Sequence, residues 1–199
     1  MHSLEPYFNW RGIYVAEEDK RSPFYGREYS EMYFSDAIYD HVIHPQWDNI
    51  GSTTLFLKLL YAEYEDGFAI IELIGEWNDT LHNDVMILKR DFIDLLIDEG
   101  ITKFILVGEN VLNFHSSDDC YYEEWFDDIE DGWITCLNFQ DHVLRDFSDV
   151  GIDNYFIYGG PLNDFAWAKF TPLQLFQKIE QLVEKRFDSN FLLEEWLLF

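Results

Sequence analysis

The sequence predicts an α/β protein: an open mixed sheet that starts with a β-hairpin, then alternating helices and strands, joined to an aromatic-rich N-terminal extension. Three observations predict it. Two β-rich runs, 55–65 and 68–77, flank Asp66-Gly67, a dipeptide that favours a tight hairpin because both residues tolerate left-handed backbone. Downstream, stretches of helical period alternate with short apolar runs, the mark of right-handed crossover units. Finally, 19% of the 199 residues are aromatic although 39 acidic and 13 basic side chains leave a formal charge of −26. Disordered chains are poor in aromatics because they cannot bury enough apolar area to offset chain entropy. The chain is therefore expected to fold, with its acids on the surface.

Each element follows in order. Residues 1–53 hold Tyr7, Trp10, Phe24 and Trp47 among other aromatics but show no clean period. Short strands and turns packed on the main domain are expected there. The run 68–77 is nearly all apolar, as in a strand covered on both faces. Asn78, Asp79 or Thr80 is expected to cap a helix whose buried face is Leu81, Val85, Leu88, Phe92 and Leu95, with Gly100 ending it in the C′ position. Residues 101–107 read as a buried parallel strand and 110–118 as a turn. An acidic helix over 119–129 should turn Cys120, Trp125 and Ile129 inward. A strand over 133–139, a helix over 141–150 closed by Gly151 and a last strand over 155–158 follow. Thr171, Pro172 and Gln174 form a capping box with proline at the first helical position, opening the final helix. The expected division is an extension over 1–53, the α/β domain over 54–187 and an apolar C-terminal segment over 188–199. Seven of the nine residues 191–199 are apolar, so the segment is expected either to dock on its own domain or to pair two copies in a homodimer.

Composition narrows the function classes. A surface of charge −26 repels DNA, RNA and anionic lipid. No apolar run approaches the length of a membrane span, and the N-terminus lacks a basic segment followed by an apolar core. Two cysteines, Cys120 and Cys136, make no disulfide framework. The expected location is the cytoplasm.

Three places carry a family resemblance. Ile74-Gly75-Glu76-Trp77-Asn78 follows the second hairpin strand and precedes a helix. Asn110-Val111-Leu112-Asn113-Phe114-His115-Ser116-Ser117-Asp118 forms a serine loop. A helix from Val143 leads through Gly151-Ile152-Asp153 to Phe156. In order and spacing these resemble the STAS domain, the fold of bacterial anti-sigma factor antagonists, over about 54–187. The resemblance implies a regulatory protein-interaction scaffold. It also implies that a partner kinase phosphorylates the first serine of the loop, which here is Ser116, with Ser117 beside it. The sequence departs from the family at the loop: His115 stands for an aspartate, Asp118 for a glycine, and Asp119 follows. No basic residue lies between Lys103 and Arg145, an interval with ten acids, eight of them in 118–131. A phosphate there would meet like charge. The alternative for Ser116 and Ser117 is to cap the acidic helix.

Other chemistry is weaker. His115, Asp118, Asp119 and Cys120 are adjacent and point in different directions, so a solvated turn is expected instead of a metal site. His41 and His44 are spaced i, i+3, but Pro45 disfavours a helix there; a packed junction is expected. The serine-hydrolase elbow, P-loop, dinucleotide fingerprint, Cys-X-X-Cys and His-Glu-X-X-His are all absent. The expected function is a non-enzymatic interaction or regulatory protein, without cofactor or metal, that meets a protein partner of basic character through Asp118, Asp119, Glu123, Glu124, Asp127 and Asp128. Two alternatives remain open: an acidic inhibitor that mimics nucleic acid, and an enzyme with an unrecognised site near His41, His44 and His115.

Overall fold

The computed structural model describes residues 4–197 apart from 31, 35 and 40, and the side chains only as far as 187. It divides into two compact units, residues 1–165 and 166–199.

The first unit contains a six-stranded sheet in which the strands lie in sequence order, β3-β4-β5-β6-β7-β8, beside a two-stranded ribbon of β1 (Ala37–Ile38) and β2 (His41–Val42). The sheet begins with the short β3 (Asp48–Asn49) antiparallel to β4 (Leu55–Glu63), which forms a hairpin with β5 (Phe68–Asn78). The hairpin loop is four residues, 64–67, longer than Asp66-Gly67 alone, and Gly67 takes the positive φ of +66°. From β5 onward every pairing is parallel. The helix after β5 has three parts: α1 (Asp84–Leu88), a π-helical turn (Lys89–Ile93) and α2 (Asp94–Asp98). Then follow β6 (Lys103–His115), α3 (Cys120–Asp128), β7 (Trp133–Leu137), α4 (Asp141–Asp149) and β8 (Phe156–Ile157).

Consecutive strand order has a consequence. When each right-handed crossover advances in the same direction, every crossover helix lies on the same face of the sheet. The core bears this out: Leu55, Leu57, Leu59, Ala69, Ile71 and Leu73 share one cluster with Val85, Phe92 and Leu96, Tyr122 and Trp125, and Val143 and Phe147. The other face would be bare, which parallel sheets do not tolerate. The N-terminal residues cover it. Ile38, Ile43 and Trp47 pack on Phe56 and Ile74, the Trp47 indole donates to the Leu4 carbonyl at 3.0 Å, and Leu4 bridges Ile43. Residues 17–27 also reach the helix side, where Phe24 stacks on Phe92 at 5.3 Å between ring centroids.

Several expectations change at this level. Leu81 and Leu95 are exposed, at 77% and 45%. The helix starts later, at Asp84, and the π turn inserts one residue, which moves the buried face from Leu95 to Leu96. Gly100 ends the helix as expected, in a Schellman motif: its amide donates to the Ile97 carbonyl at 2.8 Å and that of Ile101 to Leu96 at 3.0 Å. Residues 110–115 are strand, not turn. Two register shifts against β5 place extra residues on β6, so its inward side chains, Val111 and Phe114, fall three apart and the period-2 signal is lost. Cys120 is exposed and Tyr122 is buried in its place.

In the second unit, α5 spans Pro172–Leu197. Its capping box forms as expected: Gln174 donates its amide to Thr171 Oγ1 at 3.4 Å, and the Thr171 amide reaches Gln174 Oε1 at 3.2 Å. The side-chain packing expected of 188–199, and with it the homodimer, lies outside the described residues.

Candidate functional site

The three stretches singled out in the sequence meet at the carboxyl end of β5. Gly75 is required there by contact: a Cβ at its φ of +119° would lie 2.1 Å from the Thr54 carbonyl oxygen. The parallel pairing of Trp77 with Phe114 and of Asn78 with His115 brings the first two loops side by side. The Asp79 amide donates to the His115 carbonyl at 2.8 Å, and the Thr80 hydroxyl donates to the Ser116 carbonyl at 2.6 Å. The third stretch closes the floor. Trp77 is fully buried and packs on Tyr122, Phe147 and Phe156, at 6.1, 6.0 and 6.3 Å between ring centroids.

Two buried carboxylates fix this end of the sheet. Asp84 accepts from Ser52 Oγ at 2.6 Å, Thr54 Oγ1 at 2.8 Å and the Asn78 amide at 2.7 Å. Asp79 accepts from the Val85 amide at 2.8 Å and from the Tyr122 hydroxyl at 2.5 Å. Asp79 thus serves α1 as a cap from four residues before the helix's own first flanking residue, Asn83, which makes no side-chain cap. Burial pushes the Asp79 carboxyl up to about 6, against the pull of those two donors. In the sequence Asp79 is one of three equivalent capping choices. The role of Tyr122 was legible in its spacing with Trp125 and Ile129, which marks one helical face.

Ser116 is half-buried and Ser117 is exposed. Neither caps α3: Asp119 stands at the N-cap, and Asp118 Oδ1 accepts from the Cys120 amide at 3.3 Å. The ionisable side chains next to them in sequence are His115, which meets Glu76 Oε1 at 2.5 Å, and Asp118.

The six acids expected to form a partner face divide into two groups. Glu124 and Asp128, at the surface, are engaged in ion pairs with the molecule's own cations. The buried Lys89 ammonium lies 2.6 Å from Asp128 Oδ2, 3.9 Å from Glu124 Oε1 and in direct contact with Asp94; Arg90 binds Glu124 at 2.6 Å and Asp94 at 3.2 Å. They neutralise a cation that the apolar side of the helix carries inward. Asp118, Asp119, Glu123 and Asp127 are exposed. Of these, Asp119 accepts from the Tyr155 hydroxyl at 2.9 Å, a bond that raises the phenol to about 12. Glu123 and Asp127 have no cationic partner among the described residues. Lys89, unnoticed in the sequence, falls beside Leu88 on the buried side, a position where lysine is rare without paired acids.

Of the three candidate histidines, His44 is the packed one. His44 sits edge-on to Phe34 at 5.5 Å and to Phe8 at 6.3 Å, with Glu5 at 3.7 Å. His41 is exposed on β2, and His115 ends β6. Among the described residues, no group of three or more His, Cys, Asp or Glu side chains is arranged to hold a metal ion, and no helix is long and apolar enough to cross a membrane.

In element order the fold resembles the STAS domain: a hairpin, then parallel strands in sequence order with their helices on one face. No family model and no curated protein matches the chain. Among solved structures it is similar to the anti-sigma factor antagonist SpoIIAA in its unphosphorylated form, with 14% identity and a TM-score of 0.44 over 63% of this chain and 96% of that one. It is also similar to the Bacillus cell fate determinant SpoIIAA in the phosphorylated form, with 14% identity and a TM-score of 0.36 over 52% of this chain and 91% of that one.

Proposed function

We propose that this chain is a non-enzymatic, cytoplasmic interaction protein of regulatory type. Its outer α3 face, with the turn before it, receives a basic protein partner. One observation carries the reading. Of the six acids in this face, Glu124 and Asp128 are paired with Lys89 and Arg90, while Asp118, Glu123 and Asp127 point their charge into solvent. Internal pairing sets α3 firmly on the domain, so the remaining acids are held in fixed relative positions. A fixed array of like charges steers a complementary partner and fixes its register. Phosphorylation of Ser116 or Ser117 is not part of this reading, because a dianion there would sit beside Asp118 and Asp119 in a stretch without a cation.

The test is capture from the chain's own host on the immobilised full chain, eluted with a salt gradient. The reading predicts a retained protein of basic pI that releases steeply as ionic strength rises, since exposed charge pairs are screened within about 8 Å at physiological salt. Retention that is insensitive to salt, or a retained set without a basic protein, would contradict it.

A further inference from the structure

The sheet face opposite the helices carries a buried acid, Glu72, at the middle of β5 between Ile70 and Ile74. Its carboxylate is covered by the N-terminal residues, and among the described residues its only hydrogen-bond donor belongs to that cover: the Tyr7 amide, 2.8 Å from Glu72 Oε2. No ion pair reaches it there. Lys58 is its direct neighbour across the β4–β5 pairing, but the ammonium is turned to Glu17 at 2.8 Å and Asp48 at 3.3 Å. On the β6 side Glu109 adds like charge. The other charged groups of the cover are spoken for: Arg11 is bound to Gln46, and Glu5 lies 3.7 Å from His44.

We propose that residues 4–11 form a proton-sensitive strap over the second face of the sheet. Protonated Glu72 holds the strap closed, and its ionisation loosens it. The strap's other anchors are the Leu4–Ile43 bridge, the Trp47 indole on the Leu4 carbonyl, Glu5 beside His44 and Arg11 on Gln46. Glu72 is the buried acid beneath them, and Glu72→Gln isolates its charge from that of the Glu5–His44 pair.

The direction follows from linkage. Burial raises the Glu72 carboxyl from 4.5 to about 7, opposed by the Tyr7 amide and aided by Glu109. With the strap lifted, the carboxyl meets water and returns towards its ordinary value. The closed form therefore holds the proton more tightly, and its advantage is lost as pH rises through 7. The open-to-closed ratio should grow about tenfold between pH 6 and pH 8.5. Opening bares the sheet around Ile70, Glu72 and Lys58, away from α3, so the strap is independent of the acidic face.

Amide hydrogen exchange of Tyr7 in the full chain, corrected for the intrinsic pH dependence of exchange, reads the ratio directly. The core amide of Ile71 reports global opening alongside it. The expected result is a Tyr7 protection that stays below that of Ile71 at every pH, which marks strap opening short of global unfolding, and that falls about tenfold over that range. Glu72→Gln, which keeps a carbonyl acceptor for Tyr7, should abolish the fall. Tyr7 protection that does not change with pH, or a fall that survives in Glu72→Gln, overturns the proposal. Carboxyl NMR supplies a measurement that needs no variant: a Glu72 midpoint near 4.5 also overturns it.

Discussion

At the scale of single residues, the structure is set by groups that have no room to be anything else. Gly75→Ala would drive a Cβ into the Thr54 carbonyl at a backbone angle that side chains avoid. A loss of about 2–4 kcal/mol in denaturant unfolding is expected. Asp79 gives a pH signature. The folded chain binds its proton more tightly than the unfolded chain, so the stability it contributes is complete below pH 3.8 and is lost as pH rises through about 6. Asp79→Asn removes that loss and can still meet Val85 and Tyr122. Its stability–pH curve should gain on the wild type between pH 4 and pH 8, by up to about 3 kcal/mol. Equal slopes for the two proteins would show that Asp79 titrates at its ordinary value. Gly75 and Gly100 were legible in the sequence because glycine at a strand end or after a helix answers a local backbone need. The burial of Lys89 and Glu72 was not, because charge burial depends on partners far along the chain, Asp128 for one and Tyr7 for the other.

At the scale of elements, the hairpin, the helices and the order of parallel strands were legible because each has its own period. The errors fall where that period is interrupted. The π turn shifts the helix's buried face by one residue, and the two bulges on β6 disguise residues 110–115 of the strand as a turn. The far half of β6 is also an edge, since β7 pairs only with Lys103–Val107. Side chains close it: Gln140 donates to the Glu109 carbonyl at 3.0 Å, and His142 meets the Leu112 carbonyl at 2.7 Å. Open strand edges recruit other chains. The double variant Gln140→Ala/His142→Ala should therefore self-associate at concentrations where the wild type does not, as read by light scattering. The clamp between the π turn, α2 and α3 offers a second check. Lys89→Ala leaves Asp128 without a cation and Asp94 and Glu124 with Arg90 alone, and should cost about 3 kcal/mol.

At the scale of the whole molecule, the charge of −26 and the aromatic content are two sides of one design. The aromatics fill the helix-side core around Trp77 and line the strap side, and both sheet faces are thereby closed. The acids that remain outside repel one another, so raising sodium chloride from about 50 to 500 mM should lift the thermal midpoint by about 3 °C. The proposed partner face is not legible in charge alone, because the pairing of Glu124 and Asp128 with Lys89 and Arg90 is what separates acids that hold the fold from acids left exposed. Capture from the host with Glu123→Lys/Asp127→Lys, set against Glu65→Lys/Asp66→Lys on the hairpin loop, isolates that distinction at equal net charge. The α3 variant should lose the basic partner about tenfold or more while the hairpin variant retains it. Equal retention by the two, or equal loss, would contradict the assignment of the α3 face.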